Sequence, residues 1–189
     1  MDLFPIFLKL EGRRCLVVGA GTIGMQKIGG LIDAGAEIVV VDPSPSTQFR
    51  ELYGTRVKLR EREYAASDLN DVYLVIAATS DESVNRRIYD ESQRRGILVN
   101  VVDVPPLCDF YYGAVVRRGA LVVAVSSQGE SPHLAQRVRD EINALLPDEL
   151  EEVVKQIGEE RRRILREHPP GAQRLQLLRD LVYRRGVSA

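Results

Sequence analysis

Cys15-Leu16-Val17-Val18-Gly19-Ala20-Gly21-Thr22-Ile23-Gly24 joins a short apolar run to a glycine-rich turn. The apolar residues read as a buried strand. The turn matches G-x-G-x-x-G, a pattern that is weak by itself and gains meaning only between a strand and a helix. Here the context is complete. A helix begins near Thr22, carries Ile28, Leu31 and Ile32 at helical spacing as far as Asp33, and is closed by Gly35. Glu37–Val41 is the next apolar strand, and it ends at Asp42.

Each position of the turn then has a physical task. Gly19 permits the tight bend, Gly21 lets a pyrophosphate approach the backbone, and Gly24 lets the helix pack close to the sheet. The N–H groups at the helix start, around Thr22, Ile23 and Gly24, are unpaired and carry a partial positive charge toward the phosphates. Asp42 stands where a carboxylate accepts hydrogen bonds from the adenosine ribose hydroxyls. A 2′-phosphate there would meet a like charge, so the expected cofactor is NAD rather than NADP.

Outward from this unit the rhythm continues. Ser46 caps a helix through Tyr53, a strand lies around Val57–Leu59, and a short helix sits near Ser67–Leu69. Tyr73–Ala77 and Leu98–Val102 read as strands on either side of a helix from Glu82 to Arg95. Continuous apolar strands alternating with amphipathic helices predict an α/β fold, a Rossmann-type doubly wound parallel sheet covered on both faces. Thr79, in Thr79-Ser80-Asp81 at the carboxyl edge of that sheet, reads either as a cofactor contact or as part of the cap of the following helix.

After Asp103 the style changes. Val104-Pro105-Pro106 breaks the chain, and Ala114–Val116 with Leu121–Val125 flank Arg117-Arg118-Gly119-Ala120 as an antiparallel hairpin. Ser131-Pro132 starts a helix to Leu146. Asp148 and Glu151 look like a capping-box pair for a second helix, striped by Leu150, Val153, Val154, Ile157 and Ile164. His168-Pro169-Pro170-Gly171 precedes a last helix through Tyr183.

Composition limits the function classes. The 189 residues carry 26 basic and 27 acidic side chains, a net charge of −1, so no global field attracts nucleic acid or an anionic membrane. No apolar run approaches the ~20 residues that span a bilayer, and Met1-Asp2-Leu3-Phe4-Pro5 lacks a basic leader, so a cytoplasmic protein is expected. Two cysteines and two histidines offer neither a disulfide framework nor a histidine-rich metal cage.

Asn100-Val101-Val102-Asp103, followed by Cys108-Asp109-Phe110, puts a polar residue and a carboxylate at the cofactor edge of the sheet. A carboxylate near a nicotinamide serves as a general base when substrate loses a hydride and a proton. It serves equally as a turn cap before prolines, and the residues alone leave both readings open.

These segments, with Leu3-Phe4-Pro5-Ile6-Phe7-Leu8, Lys27, Asp33-Ala34-Gly35-Ala36, Ile76-Ala77-Ala78-Thr79 and Val125-Ser126-Ser127 through Pro132, resemble the precorrin-2 dehydrogenase family. That family is also called the dehydrogenase/ferrochelatase domain of siroheme synthase. The likeness runs in order over about residues 3–147. It implies NAD-dependent oxidation of precorrin-2 to sirohydrochlorin, with Fe²⁺ insertion as a second activity in some members. It implies Asp103 as the catalytic aspartate, with Asn100, Ser126 and Ser127 at the substrate. It also implies a homodimer with a site near the subunit interface. The resulting domain expectation is 1–112 for NAD, 113–146 for dimerisation and 147–189 as a C-terminal helical domain.

Arg117, with Arg118, Arg137 and Arg139, is the candidate partner of the tetrapyrrole carboxylates, since the guanidinium fork pairs carboxylates bidentately. Members often carry a methyltransferase domain downstream; none follows here, so methylation is expected from another protein. Tyr111-Tyr112-Gly113 departs from the family's proline after Cys-Asp-Phe, and His133 from its small apolar residue. The competing reading is a regulatory NAD-binding module without catalysis.

Overall fold

The computed structural model describes residues 2–184, so the last residues of the expected C-terminal domain lie outside the described residues. The chain divides between Tyr111 and Tyr112 into two compact units. The hairpin region and the helical tail, expected as separate parts, fall within the same second unit.

The first unit is built on β1 (Arg14–Val18), α1 (Thr22–Asp33), β2 (Glu37–Val41), α2 (Thr47–Tyr53), β3 (Lys58–Arg60), β4 (Leu74–Ala77), α3 (Glu82–Arg95) and β5 (Leu98–Val101). A 3-10 turn, Ala66–Leu69, stands between β3 and β4. The five strands are parallel in the order β3-β2-β1-β4-β5. β3 sits one residue later than its sequence pattern indicated, paired through Lys58, Leu59 and Arg60 with the end of β2. Because the chain crosses from β3 at one edge to β4 beside β1, the topological switch point falls between β1 and β4.

Alternate residues of the strands feed two cores. Leu16, Val18, Val39, Val41, Val75, Ala77, Val99 and Val101 pack with Ile88 of α3 and Leu69 of the 3-10 turn. Cys15, Val17, Ile38, Val40, Leu74 and Ile76 pack with Ile28 and Leu31 of α1 and Phe49 of α2. Both faces are covered, which is why the strands read as unbroken apolar runs rather than alternating ones.

The second unit begins with an antiparallel hairpin, β6 (Ala114–Arg118) and β7 (Leu121–Val125), turned at Gly119. α4 (Pro132–Leu145) packs on both hairpin strands, and α5 (Leu150–Glu167) packs on α6 (Ala172–Arg184). Ser131 caps α4 as expected, its Oγ accepting from Leu134 N at 3.2 Å. The capping box at α5 does not form. Glu149 takes the cap position with helical backbone and no side-chain bond, and the exposed Asp148 carboxylate lies 3.9 Å from the Arg118 guanidinium instead. The α5 stripe of Leu150, Val153, Val154, Ile157 and Ile164 is buried or half-buried throughout.

Candidate functional site

A cleft of about 540 Å³ opens at the carboxyl edge of the parallel sheet. It is lined by Gly19, Gly21, Asp42, Thr79, Asp81 and Tyr64 among others. Three expected cofactor positions on three different strand ends, Gly19, Asp42 and Thr79, are thus brought together with Gly21.

The glycines divide by what surrounds them. Gly19 has φ +99°, and a Cβ there would overlap the Ala78 carbonyl. A Cβ at Gly24 would overlap the Gly19 carbonyl. These two glycines let the turn, α1 and β4 approach one another. Gly21 is different: a Cβ there meets nothing within 4 Å. Nothing in the fold requires glycine at Gly21, so its bareness only matters to something that enters the cleft.

Gly21 is also the N-cap of α1, and it supplies no side-chain cap. The first turn contains no acidic residue. The first intrahelical bond runs from Met25 N to Gly21 O, so Thr22, Ile23 and Gly24 present backbone N–H groups that need an acceptor from outside the helix. A bare helix N-terminus beside an open glycine is an anion cradle, and these residues fit the pyrophosphate of a dinucleotide.

Asp42 does more than the sequence showed. Its Oδ2 accepts from Ala20 N at 2.6 Å and its Oδ1 from Ser44 N at 2.7 Å. The carboxylate therefore ties the glycine turn to the end of β2. Each oxygen still has a lone pair, so Asp42 also fits a diol in the cleft.

At β4 the Thr79-Ser80-Asp81 segment both caps the next helix and lines the cleft, on different residues. Asp81 is the N-cap of α3, its Oδ1 accepting from Ser83 N at 2.8 Å and Val84 N at 3.2 Å. These bonds, that from the Ser83 hydroxyl foremost, hold the Asp81 carboxyl below its ordinary range. Thr79 lines the cleft, and its Oγ1 donates to Asn85 Oδ1 at 2.8 Å while Asn85 Nδ2 donates to Thr79 O at 2.9 Å. Asn85 is buried in the helix and escaped the sequence reading, since a polar residue in a charged helix reads as solvated.

The far wall was missed as well. Tyr64 is buried there, its hydroxyl donating to Glu91 at 2.6 Å, and Arg87 lies over its ring and donates to its carbonyl at 2.8 Å. Burial and the Glu91 bond push the phenol up. No local pattern marks this wall, because its residues come from a loop and a helix far apart in sequence.

Asp103 follows β5 with φ +60°, a left-handed conformation that is unusual for a non-glycine residue, and its side chain is exposed. Asn100 is buried on β5, and its Nδ2 donates to Phe110 O at 2.8 Å and lies 3.4 Å from Cys108 Sγ. Asp109 accepts from Val99 N at 3.0 Å and from Gln93. Asn100, Cys108 and Asp109 thereby clip the 104–110 loop onto the edge strand and hold Asp103 at the rim. Cys108 Sγ donates to Val101 O at 3.1 Å, and burial pushes its thiol up, as expected of a packed rather than a reactive cysteine.

Ser126, Ser127 and Arg117 belong to the second unit. Ser126 Oγ accepts from Gln128 N at 3.1 Å and Ser127 Oγ from Ser131 N at 3.0 Å, while Arg117 is exposed on β6. Among the described residues, no group of three or more His, Cys, Asp or Glu could hold a metal ion. No helix of the described chain is long and apolar enough to cross a membrane.

Comparison with known proteins agrees with this geometry. Residues 6–114 match the family described as putative NAD(P)-binding, and residues 118–145 match the sirohaem biosynthesis protein central family. A siroheme synthase from Ectopseudomonas mendocina is 47% identical over 147 residues, 78% of this chain and 32% of that protein. One from Methylococcus capsulatus is 39% identical over 176 residues, 92% of this chain and 37% of that protein. The chain spans about a third of the length of these relatives. The solved structure of SirC, a precorrin-2 dehydrogenase, matches with a TM-score of 0.81 and 27% identity, covering 98% of this chain and 94% of that one. With a nicotinamide-dinucleotide cradle followed by a sirohaem central region, the chain belongs to the precorrin-2 dehydrogenase and siroheme synthase dehydrogenase family.

Proposed function

We propose that this chain oxidises precorrin-2 to sirohydrochlorin with NAD. The observation that carries the reading is the pairing of an uncapped α1 N-terminus at an open Gly21 with a carboxylate, Asp103, on the same edge of the sheet. Bound in this cleft, NAD supplies the hydride acceptor.

The residues divide the remaining work. Backbone N–H groups of Thr22, Ile23 and Gly24 bind the pyrophosphate, and Asp42 meets the adenosine ribose on the β2 side. Its negative charge disfavours a 2′-phosphate, so NAD is preferred over NADP. A dinucleotide held at Asp42 on one side of Gly21 extends toward β4 and β5, where Asp103 stands. Asp103 takes the proton that leaves the macrocycle as the carbon is oxidised. Ser126, Ser127 and Arg117 of the second unit contact the substrate, and two copies of the chain complete the assembly.

Anaerobic mixing of protein, NAD and precorrin-2 tests this. NADH absorbance should rise in step with sirohydrochlorin, and Asp103→Ala should slow turnover about 100-fold or more while NAD affinity holds. No NADH in the wild type would refute the oxidation. Equal loss of turnover and NAD binding in Asp103→Ala would give Asp103 a structural role. Ferrous insertion is a separate step, tested with sirohydrochlorin and Co²⁺ in place of Fe²⁺, with and without the protein. Sedimentation velocity tests the homodimer.

A further inference from the structure

The face of α1 that packs on the sheet contains a lysine. Gly24, Ile28 and Leu31 are buried along it, and Lys27 completes the same i, i+3, i+4, i+7 stripe, half-buried. A charged residue in that stripe loses hydration, and this is a cost that an unpaired surface lysine would not carry.

The direction in which Lys27 lies follows from its neighbours. With Ile28 facing the sheet, Gly29 and Lys27 occupy opposite flanks of the helix, each about 100° away. A Cβ at Gly29 would lie 3.7 Å from the Tyr53 hydroxyl, so that flank faces α2 and the β2–β3 side. Lys27 therefore faces β4 and β5, where Val102 and Phe110 pack into the same core. Asp103 is the next residue along. Burial pulls the Lys27 ammonium below the ordinary lysine range, and the charge that opposes this is Asp103.

Other titratable groups on the elements around α1 are occupied elsewhere. Cys15 of β1 is fully buried and pushed up to about 11 by burial. Asp42 accepts from Ala20 and Ser44, Cys108 donates to Val101 O, and Tyr53 is on the opposite flank.

We infer that Lys27 is a positioning residue for the oxidation, holding the Asp103 carboxylate toward the α1 side of the cofactor edge through a charge pair. This rests on the reading of Asp103 as the proton acceptor. The left-handed Asp103 fixes only the backbone, and an exposed carboxylate on it has free rotamers. An ammonium carried half-buried on a helix anchored by its buried stripe selects among them. The same helix begins at the phosphate cradle, so one rigid element sets both the cofactor and the base.

The test uses the full chain with NAD and precorrin-2. Lys27→Met should lower kcat about tenfold with KM for NAD within about twofold of wild type. Lys27→Arg, which keeps the charge at all accessible pH, should recover most of kcat. In the wild type, kcat should fall at alkaline pH along a limb below the ordinary lysine range, as Lys27 loses its proton and its hold on Asp103. In Lys27→Arg that limb should move to higher pH. Asp103→Ala, run beside them, separates the two ideas. If Asp103→Ala is inactive and Lys27→Met turns over like the wild type, the positioning role is overturned and the base stands. If Asp103→Ala is active, the base itself fails. If Lys27→Met does not fold, an unmoved alkaline limb in Lys27→Arg overturns the proposal by itself.

Discussion

Two helices start on the same edge of the sheet, and their first turns are opposites. α3 begins after β4 with Asp81, whose carboxylate fills the N–H groups of Ser83 and Val84. α1 begins after β1 with Gly21, which fills nothing. Both border one cleft. The full end is complete within the chain, whereas the bare end leaves its N–H groups to water or to a bound ligand. The proposed phosphate site therefore rests on the missing internal acceptor at Gly21, not on position at the sheet edge.

Substitutions can break this contrast in different ways. Gly24→Ala should cost the most, about 3 kcal/mol in urea unfolding, because its Cβ would overlap the Gly19 carbonyl backbone. NAD binding should go with the fold. Gly21→Asp should leave the unfolding midpoint close to wild type, since the cleft has room, yet weaken NAD binding about 100-fold by calorimetry. That variant gives α1 the cap that α3 already has.

A third start on the unit sharpens the point. Asp68 fills the N–H of Ala65 at 2.9 Å ahead of the 3-10 turn, and pairs with Arg62 and Arg60. Burial alone would raise its carboxyl, but these partners outweigh it and bring it down to about 2. The folded value lies below the unfolded one, so the stabilisation is present above about pH 4 and lost as pH falls toward 2. Acid titration of stability should show about 2 kcal/mol over that window, absent in Asp68→Asn. The smallest effect belongs to Asp81→Ala: a modest drop in melting temperature with NAD affinity within about twofold of wild type.

Much of this was legible in the sequence for a local reason. The Gly19–Gly24 turn, its flanking strands and Asp42 lie within one βαβ unit, where spacing alone fixes their relation. The same holds for the hairpin and for Ser131 at α4. What was hidden depends on contacts between distant segments. The bond from Ala20 to Asp42, the buried Asn85 behind Thr79, and the Tyr64–Arg87 wall have no local signature. Asn100 is placed at the substrate by the family resemblance alone, and the bond from its amide to Phe110 O, which clips the Cys108–Phe110 loop, has no local signature either. Asp148 misled in the other direction. Its spacing to Glu151 is right for a cap, but the helix starts one residue later, at a bare Glu149, and the exposed Asp148 carboxylate lies 3.9 Å from Arg118.

Backbone amide spectra recorded during an NAD titration test the contrast most directly. The account predicts saturable shifts largest at Thr22, Ile23 and Gly24, with Ser83 and Val84 moving far less. Shifts concentrated at Ser83 and Val84, or none at the start of α1, would contradict it.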